Sequence, residues 1–411
     1  MSGVQGVQGE RTPLWTRAML AVLVAQFVSA LADNALLFGI LALLKQRLYP
    51  AWTDSLLQEF FVGATILLVP FSGPLADSWP KGRVMLLSNG LKLLGALAIL
   101  LGVNPFVAYG VVGIGAATYS PAKYGILSEL TSPDRLVQAN GLMESSTIAA
   151  ILIGAIVGGT LSDWNVRGGL LVITGCYAVA LVANLFIPRI APAHTLPRMS
   201  VVGMLKDFAH AFRRLYAVVD ARFSVAGTSL FWGAGSTMRF LLIAWTPIAL
   251  GIANNREPAY LNAVVAVGIV LGAALAGKLV TLRTANRALA GGIVLGLAVC
   301  TLSVTTSVHV AYSVLLVVGA AGGFMVVPLN ALLQTKGHET VGAGHAVAVQ
   351  NGMENLSMLL MLALYTGLSR SGLPVQGLAA GFGGALSFAI LCLWMYRAKK
   401  QRERALQCQT G

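Results

Sequence analysis

Charge is scarce in this chain. Only 10% of its 411 residues are Asp, Glu, Lys or Arg, while 56% are hydrophobic. A soluble domain of this length would lack the polar groups to cover its surface, so that class is excluded. Cysteine is also scarce. Cys176, Cys300, Cys392 and Cys408 stand far apart with no paired spacing, which gives neither a disulfide framework nor a zinc site. The five histidines form no ligand cluster, and no cofactor or metal is expected. No serine or cysteine has a histidine placed to activate it at membrane depth, which argues against a membrane-bound hydrolase or acyltransferase. Strict alternation of polar and apolar residues is missing too, and that excludes a transmembrane β-barrel.

What remains is long apolar runs. About twelve of them recur between Met19 and Met395, many reaching the ~20 residues a bilayer crossing needs. The first follows "TPLWTRAML" without a small-residue cleavage site and reads as a signal anchor. The expected fold class is all-α: twelve transmembrane helices in two six-helix halves.

The formal net charge is +13. With both termini placed inside, the inner segments collect Arg11, Arg17, Lys81, Arg83, Arg135, Lys206, Arg213, Arg214 and the tail from Arg397 to Arg404. Outer loops keep only Lys45, Arg47, Arg167, Arg256 and Arg370. This is the positive-inside pattern, so the basic balance sets topology and contact with anionic lipid, not nucleic-acid binding. The organisation predicted is an inner N-terminus over 1–17, a six-helix domain over 18–188, a linker over 189–222, a second six-helix domain over 223–396 and a basic tail over 397–411. Within the linker, "PRIAPAHTLPR" is a Pro-rich connection. After it, Val201, Leu205, Phe208, Phe212, Leu215 and Val219 recur at helical spacing and predict an amphipathic helix on the inner leaflet.

The halves echo one another. "QANGLMESS" at 138–146 matches "VQNGMENLS" at 349–357 with a one-residue shift, and Pro121 and Pro328 fall upstream of each. "NALLF" after Asp33 echoes "RFLLI" from Arg239. Duplicated halves mark transporters whose site lies between the repeats.

Some charges lie where lipid should forbid them. Asp33 sits about 22 Å into the first apolar segment at 1.5 Å per residue. Arg239 lies similarly deep in the seventh. Each costs about 2.5–3.5 kcal/mol at a helix centre, so each should face a cavity or the other charge. Gln26, Ser29, Ala30 and Asp33 share one helical face, with Asn34 adjoining, and Trp232, Gly235, Ser236 and Arg239 share another. These are candidate cleft linings. Glu144 and Glu354 occupy equivalent places in the repeat, and Gln350, Asn351 and Ser357 share the Glu354 face. Arg239 set against Asp33 and Glu354 suits an amphiphile or small zwitterion, with or without a phosphate, because a guanidinium grips phosphate and a carboxylate grips ammonium. The plainer alternative is a buried ion pair that only fixes packing. For Lys123, Glu144 and Asp77, gating, packing and cargo contact stay open; Lys92 reads as an anchor near the start of the third segment.

The loop "GPLADSWPKGRVM" from Gly73 to Met85 resembles the signature of the major facilitator superfamily, with Ser78-Trp79-Pro80 standing where a basic residue usually follows the aspartate. Asp77, with Arg83 beyond it, can pair with basic groups or a helix N-terminus and latch one conformation. "AQFVSALADNALLFGILALLK", "YSPAKYGIL", "GTSLFWGAG", "GGFMVVPLNALLQ" and "VGAGHAVAVQN" resemble, in order, the bacterial lysophospholipid transporters of that superfamily. The likeness runs from about Trp15 to Met395. It implies a multi-pass protein of the bacterial inner membrane that flips lysophospholipids, chiefly 2-acyl-glycerophosphoethanolamine, from the outer to the inner leaflet by facilitated diffusion. It also implies a partner, an acyltransferase with acyl carrier protein synthetase activity, that restores the second chain. The family's important charged positions match Asp33, Arg239, Glu354 and Lys123. A proton-coupled exporter of drugs or small amphiphiles is the rival reading, since midplane carboxylates can carry protons.

Overall fold

The computed structural model describes residues 15–49, 53–188, 190, 200–252 and 256–410. Most of the expected N-terminal segment and of the Pro-rich connection therefore lies outside the described residues. The helices are α1 (Arg17–Gln46), α2 (Thr53–Ser78), α3 (Lys81–Leu100), α4 (Pro105–Leu130), α5 (Leu136–Trp164), α6 (Val166–Leu185) and α7 (Val201–Ala217). They continue as α8 (Val219–Ala249), α9 (Arg256–Leu279), α10 (Ala288–Thr301), α11 (Val308–Thr340), α12 (Ala343–Arg370) and α13 (Val375–Thr410). Among the described residues there is no strand.

Polar residues at the helix starts fix where each turn of chain ends. The Thr16 hydroxyl accepts from the Met19 N–H, and Asn165 Oδ1 accepts from the Gly168 N–H. Asn104 Oδ1 takes the Phe106 and Val107 N–H groups, with Pro105 at the first helical position where its missing N–H costs nothing.

Nine helices among the described residues are long and apolar enough to cross a membrane by length and composition. The three other long helices, α4, α8 and α12, are those that carry Lys123, Arg239 and Glu354. Lys123 and Glu354 are sheltered by neighbours and Arg239 lines a cavity, the two places that a membrane leaves to such groups. The chain is a multi-pass membrane protein.

The two halves pack alike. In the first, α1 lies against α5 and α6, α2 against α4, and α3 against α4 and α6. In the second, α8 lies against α12 and α13, α9 against α11, and α10 against α11 and α13. Pro121 inside α4 and Pro328 inside α11 sit in counterpart helices, as the sequence echo predicts. Between the halves, α5 meets α9 and α11, while α2 and α4 meet α12.

α7 is the amphipathic helix expected from the linker. It lies at the end of the bundle where α1 begins and where α2 turns into α3, here termed the basic end. Ala211 and Leu215 are buried, and Phe208 and Phe212 pack beside Val349 and Met353 of α12 and Ile66, Val69 and Pro70 of α2. The helix therefore touches both halves at once. Lys206, Arg213 and Arg214 are exposed on its far face.

Helix-on-helix approach is tightest where α9 meets α11. A Cβ on Gly272 would run into the carbonyl oxygen of Ala320, so only glycine allows that backbone contact. Gly272→Val should cost about 1–3 kcal/mol through overpacking and lower the thermal midpoint of the detergent-purified protein. Gly175→Ala, whose added methyl meets no atom within 4 Å, should leave the midpoint unchanged. Equal midpoints for the two variants would contradict the packing argument.

Candidate functional site

The centre of the bundle holds two cavities that share one residue. The first, about 390 Å³, is polar and lined mainly by α1 and α4, with Gln26, Asp33, Asn34, Lys92, Tyr119, Ser120, Lys123 and Thr147 at its wall and Arg239 reaching in from the other half. The second, about 310 Å³, is apolar and belongs to the second half. Phe231, Met238, Val265, Ile269, Leu295 and Val318 line it, together with Trp232, Gly235, Ser236 and, again, Arg239. The face that spacing predicted on the seventh span thus lines one wall of the apolar cavity.

Of the two places expected for Asp33, a cavity or a pairing with Arg239, the structure has the first: Asp33 and Arg239 both line the polar cavity and do not pair. Asp33 Oδ2 accepts from the Lys92 ammonium at 2.6 Å, and its Oδ1 accepts from the Tyr177 hydroxyl at 2.8 Å. Lys92 is the residue that sequence reasoning misjudged. It is not a snorkelling anchor but is 2% exposed, donates to Ser29 Oγ at 3.0 Å and lies 4.9 Å from the Tyr119 ring centroid. The signal was present: Lys92 follows Lys81 by eleven residues, too deep in α3 for an interfacial side chain. Ser29, expected to line the cleft, is instead fully buried and donates to Asn89 Oδ1 at 2.7 Å.

The ion pair decides the electrostatics of the polar cavity. Lys92, Lys123 and Arg239 face it with a single carboxylate, Asp33. Asp33 and Lys92 cancel, which leaves Lys123 and Arg239 in excess. Lys123 lies 4.6 Å from the Tyr124 ring centroid, and Arg239 is exposed to the cavity. Neither is hydrogen-bonded, or within ion-pair distance of a carboxylate, among the described residues. A polar space with two unneutralised cations is a receptor for an anion.

Glu354 does not join this cavity, which corrects the expected trio with Asp33 and Arg239. It is buried toward the basic end in a network that links the halves. Gln350 Nε2 donates to Glu354 Oε1 at 2.7 Å and to Asn330 Oδ1 at 2.6 Å, and Asn330 Nδ2 donates to Glu144 Oε1 at 2.9 Å. Glu144 also accepts from the Tyr124 hydroxyl at 2.6 Å. The two glutamates that the repeat made equivalent are thus joined through two amides. Nearby, Asn140 and Gln334 exchange hydrogen bonds at 3.0 and 2.7 Å across α5 and α11. Asn351 donates to Ser120 Oγ at 3.0 Å across α12 and α4; it sits in this seam and not on the cavity wall.

The basic end is closed by Asp77. Its Oδ1 accepts from the Gly344 N–H at 2.7 Å and its Oδ2 from the His345 N–H at 2.9 Å, with His345 Nδ1 2.6 Å away. A carboxylate placed on the first turn of α12 satisfies N–H groups that have no partner within the helix and meets the positive end of its dipole. Gly342, just ahead, has φ +97° and lies so close to Asp77 that no side chain would fit. Lys81, 2% exposed, bonds Glu129 and lies 4.0 Å from Asp77. It fills the place expected for Arg83, which is exposed and outside the contact.

Residues 22–362 match the model of the Major Facilitator Superfamily. The chain is 55% identical over 389 residues to the lysophospholipid transporter LplT of Enterobacter sp. (strain 638), covering 95% of this chain and 98% of that one. It is 54% identical, with the same coverage, to the LplT of Citrobacter koseri. The chain belongs to the lysophospholipid transporter family of the major facilitator superfamily. Among solved structures, the fucose transporter FucP in the outward conformation superposes with a TM-score of 0.73 at 13% identity, over 92% of this chain and 98% of that one. A bacterial homologue of ferroportin in an outward-facing state gives 0.70 at 17%, over 93% and 99%. At such identities the likeness is one of fold alone.

Two predictions follow from the geometry. Lys92→Met strands the Asp33 carboxylate and should destabilise the protein by about 3 kcal/mol, whereas Lys92→Met with Asp33→Asn should recover most of the loss. Arg239→Met, which breaks no pair, should leave the unfolding midpoint near that of the parent. A double variant no more stable than Lys92→Met would refute the ion-pair reading. Separately, Asp77→Ala should loosen the basic end, so that a cysteine at Ala348→Cys, a buried position where α12 meets α2, is alkylated several-fold faster in a cysteine-free background. Unchanged labelling would show that Asp77 is not the latch.

Proposed function

We propose that the protein is a lysophospholipid flippase of the bacterial inner membrane, with both termini cytoplasmic. On this reading it moves 2-acyl-glycerophosphoethanolamine and related lysolipids from the outer to the inner leaflet. The observation that carries the proposal is the pair of cavities meeting at Arg239, one cationic and polar, the other apolar. A lysolipid has the same division: a phosphate head beside a single acyl chain. The relatives' name points to the same class of cargo.

The physical obstacle to flipping is the head group, since an ion at the centre of a bilayer is costly while a chain merely exchanges one apolar surrounding for another. Arg239 offers the phosphate two parallel N–H donors, and Lys123 adds a third donor group deeper in the cavity. The chain lies along Phe231, Met238, Ile269 and Leu295. With the basic end toward the cytoplasm, the Asp77 latch and the Asn140–Gln334 pair close the inner side, so the cavity of this structure faces outward. Rocking of the halves, with release of those contacts, exposes the head group to the inner leaflet. No hydrolysis is required. An acyltransferase of the acyl carrier protein synthetase type, consuming lysolipid on the cytoplasmic side, maintains the gradient that drives facilitated diffusion.

The test is uptake of labelled lysophosphatidylethanolamine by spheroplasts that lack their own transporter, at equal membrane abundance of each variant. Arg239→Ala should lower uptake about ten-fold or more, the loss expected of a bidentate charged contact, and a protonophore should leave parental uptake intact. Undiminished uptake by Arg239→Ala would end the proposal. Collapse of uptake with the protonophore would favour the proton-coupled exporter, for which the buried Glu144 and Glu354 are the proton sites to examine.

A further inference from the structure

We propose that the polar cavity passes a zwitterionic head group through two successive stations, each made of one unneutralised cation and one amide carbonyl: Arg239 with Asn34, then Lys123 with Gln26. The proposal rests on the reading that the cargo is a lysolipid with an amine head group.

Asp33 is the obvious ligand for an ammonium, but its oxygens already receive Lys92 and Tyr177. The amides on the same helix are better placed, and their partners set their orientation. Asn34 Nδ2 donates to the Ala30 carbonyl at 2.8 Å, and that oxygen can only accept. Gln26 Nε2 donates to Thr147 Oγ1 at 2.8 Å. The Thr147 hydroxyl gives its one proton to the Met143 carbonyl, also at 2.8 Å, and so accepts from Gln26. In this arrangement each amide presents its NH₂ end to the protein. That leaves Asn34 Oδ1 and Gln26 Oε1 without a donor among the described residues, on side chains that line the cavity. An acceptor with no protein donor, in a cavity with excess positive charge, suits the N–H groups of an ammonium tethered to a phosphate.

Helix rise separates the two acceptors. Asn34 and Gln26 are eight residues apart on α1, about 12 Å along its axis, too far for one ammonium to touch both. Arg239 lies ten residues from the end of α8, about 15 Å, and Asn34 twelve from the end of α1, about 18 Å, so the two share a depth near the open end. Lys123 lies seven residues before the end of α4, about 10 Å, and Gln26 nine after the start of α1, about 14 Å, which places this pair toward the closed end. The Asp33–Lys92 pair stands between the stations as a neutral stretch of wall. A head group leaving Arg239 and Asn34 thus finds the same pair of chemistries again one step deeper.

The experiment compares initial uptake of lysophosphatidylethanolamine and its N-acetyl analogue, whose nitrogen is uncharged, by the parent, Asn34→Leu and Gln26→Met. Both substitutions keep side-chain size, and membrane abundance with the unfolding midpoint checks folding. Asn34→Leu should raise KM for the amine substrate about ten-fold with little change in maximal rate, the loss of one hydrogen bond to a charged group at the entry station. Gln26→Met should lower the maximal rate about ten-fold with little change in KM, because its station is reached only during translocation. For the N-acetyl analogue the two variants should stay close to the parent, so the preference for the amine falls in both. Equal losses on both substrates, or the same parameter altered in both variants, would overturn the two stations. A parent that moves neither lysolipid would instead overturn the cargo reading on which they rest.

Discussion

A carboxylate held at the depth of Asp33 needs a cation, and Lys92 supplies it at 2.6 Å. Much else in the polar cavity follows from that one pairing. Because the pair consumes the only carboxylate on the wall, Lys123 and Arg239 are left with uncompensated charge facing open space. Because Tyr177 and Ser29 complete the pair's hydrogen bonds, α1, α3 and α6 are tied together around it. Net attraction for an anion therefore arises from Lys123 and Arg239 on the wall of a polar cavity. A buried ion pair is usually weak evidence for stability. Here its value lies in what it removes from the cavity's charge balance.

The seam at the basic end joins the two halves through ordinary polar contacts. Asp77 on the α12 N-terminus, the paired amides Asn140 and Gln334, and the chain from Glu144 through Asn330 and Gln350 to Glu354 all join opposite halves within the same slab. They are polar contacts that water can replace, so parting the halves exchanges one set of partners for another. Hydrophobic packing alone would offer no such replacement. α7, which touches α2 and α12 together, must repack whenever those helices separate.

Fold class and span pattern were plain in the sequence, since they depend on composition and on length against bilayer thickness, quantities that need no partner. The amphipathic helix was legible for the same reason: Phe208, Phe212 and Leu215 declare a face through their spacing alone. Gln26, Asn34, Trp232 and Ser236 were placed on cavity walls by face arguments that the structure repeats. Pairing was another matter. That Asp33 would meet Lys92 and not Arg239 depends on the relative rotation of α1, α3 and α8, which no single-helix pattern records. Glu354 was misassigned to the cavity because its position in the repeat fixes a counterpart, Glu144, but not the direction in which either points. Lys81 and not Arg83 meets Glu129, because residues two apart on α3 point to nearly opposite sides of the helix.

The three long helices of lower mean hydropathy, α4, α8 and α12, have a bearing on how the protein is made. Each emerges from the ribosome directly after or before a strongly apolar neighbour: α3 precedes α4, α9 follows α8, and α11 precedes α12. A segment bearing Lys123, Arg239 or Glu354 gains little by entering lipid alone. It would have to wait at the insertion channel until a neighbour is available to shelter its polar face. Packing of the bundle and integration into the bilayer are on this view a single process, and the polar residues that the fold encloses are those that make its biogenesis dependent on chain order.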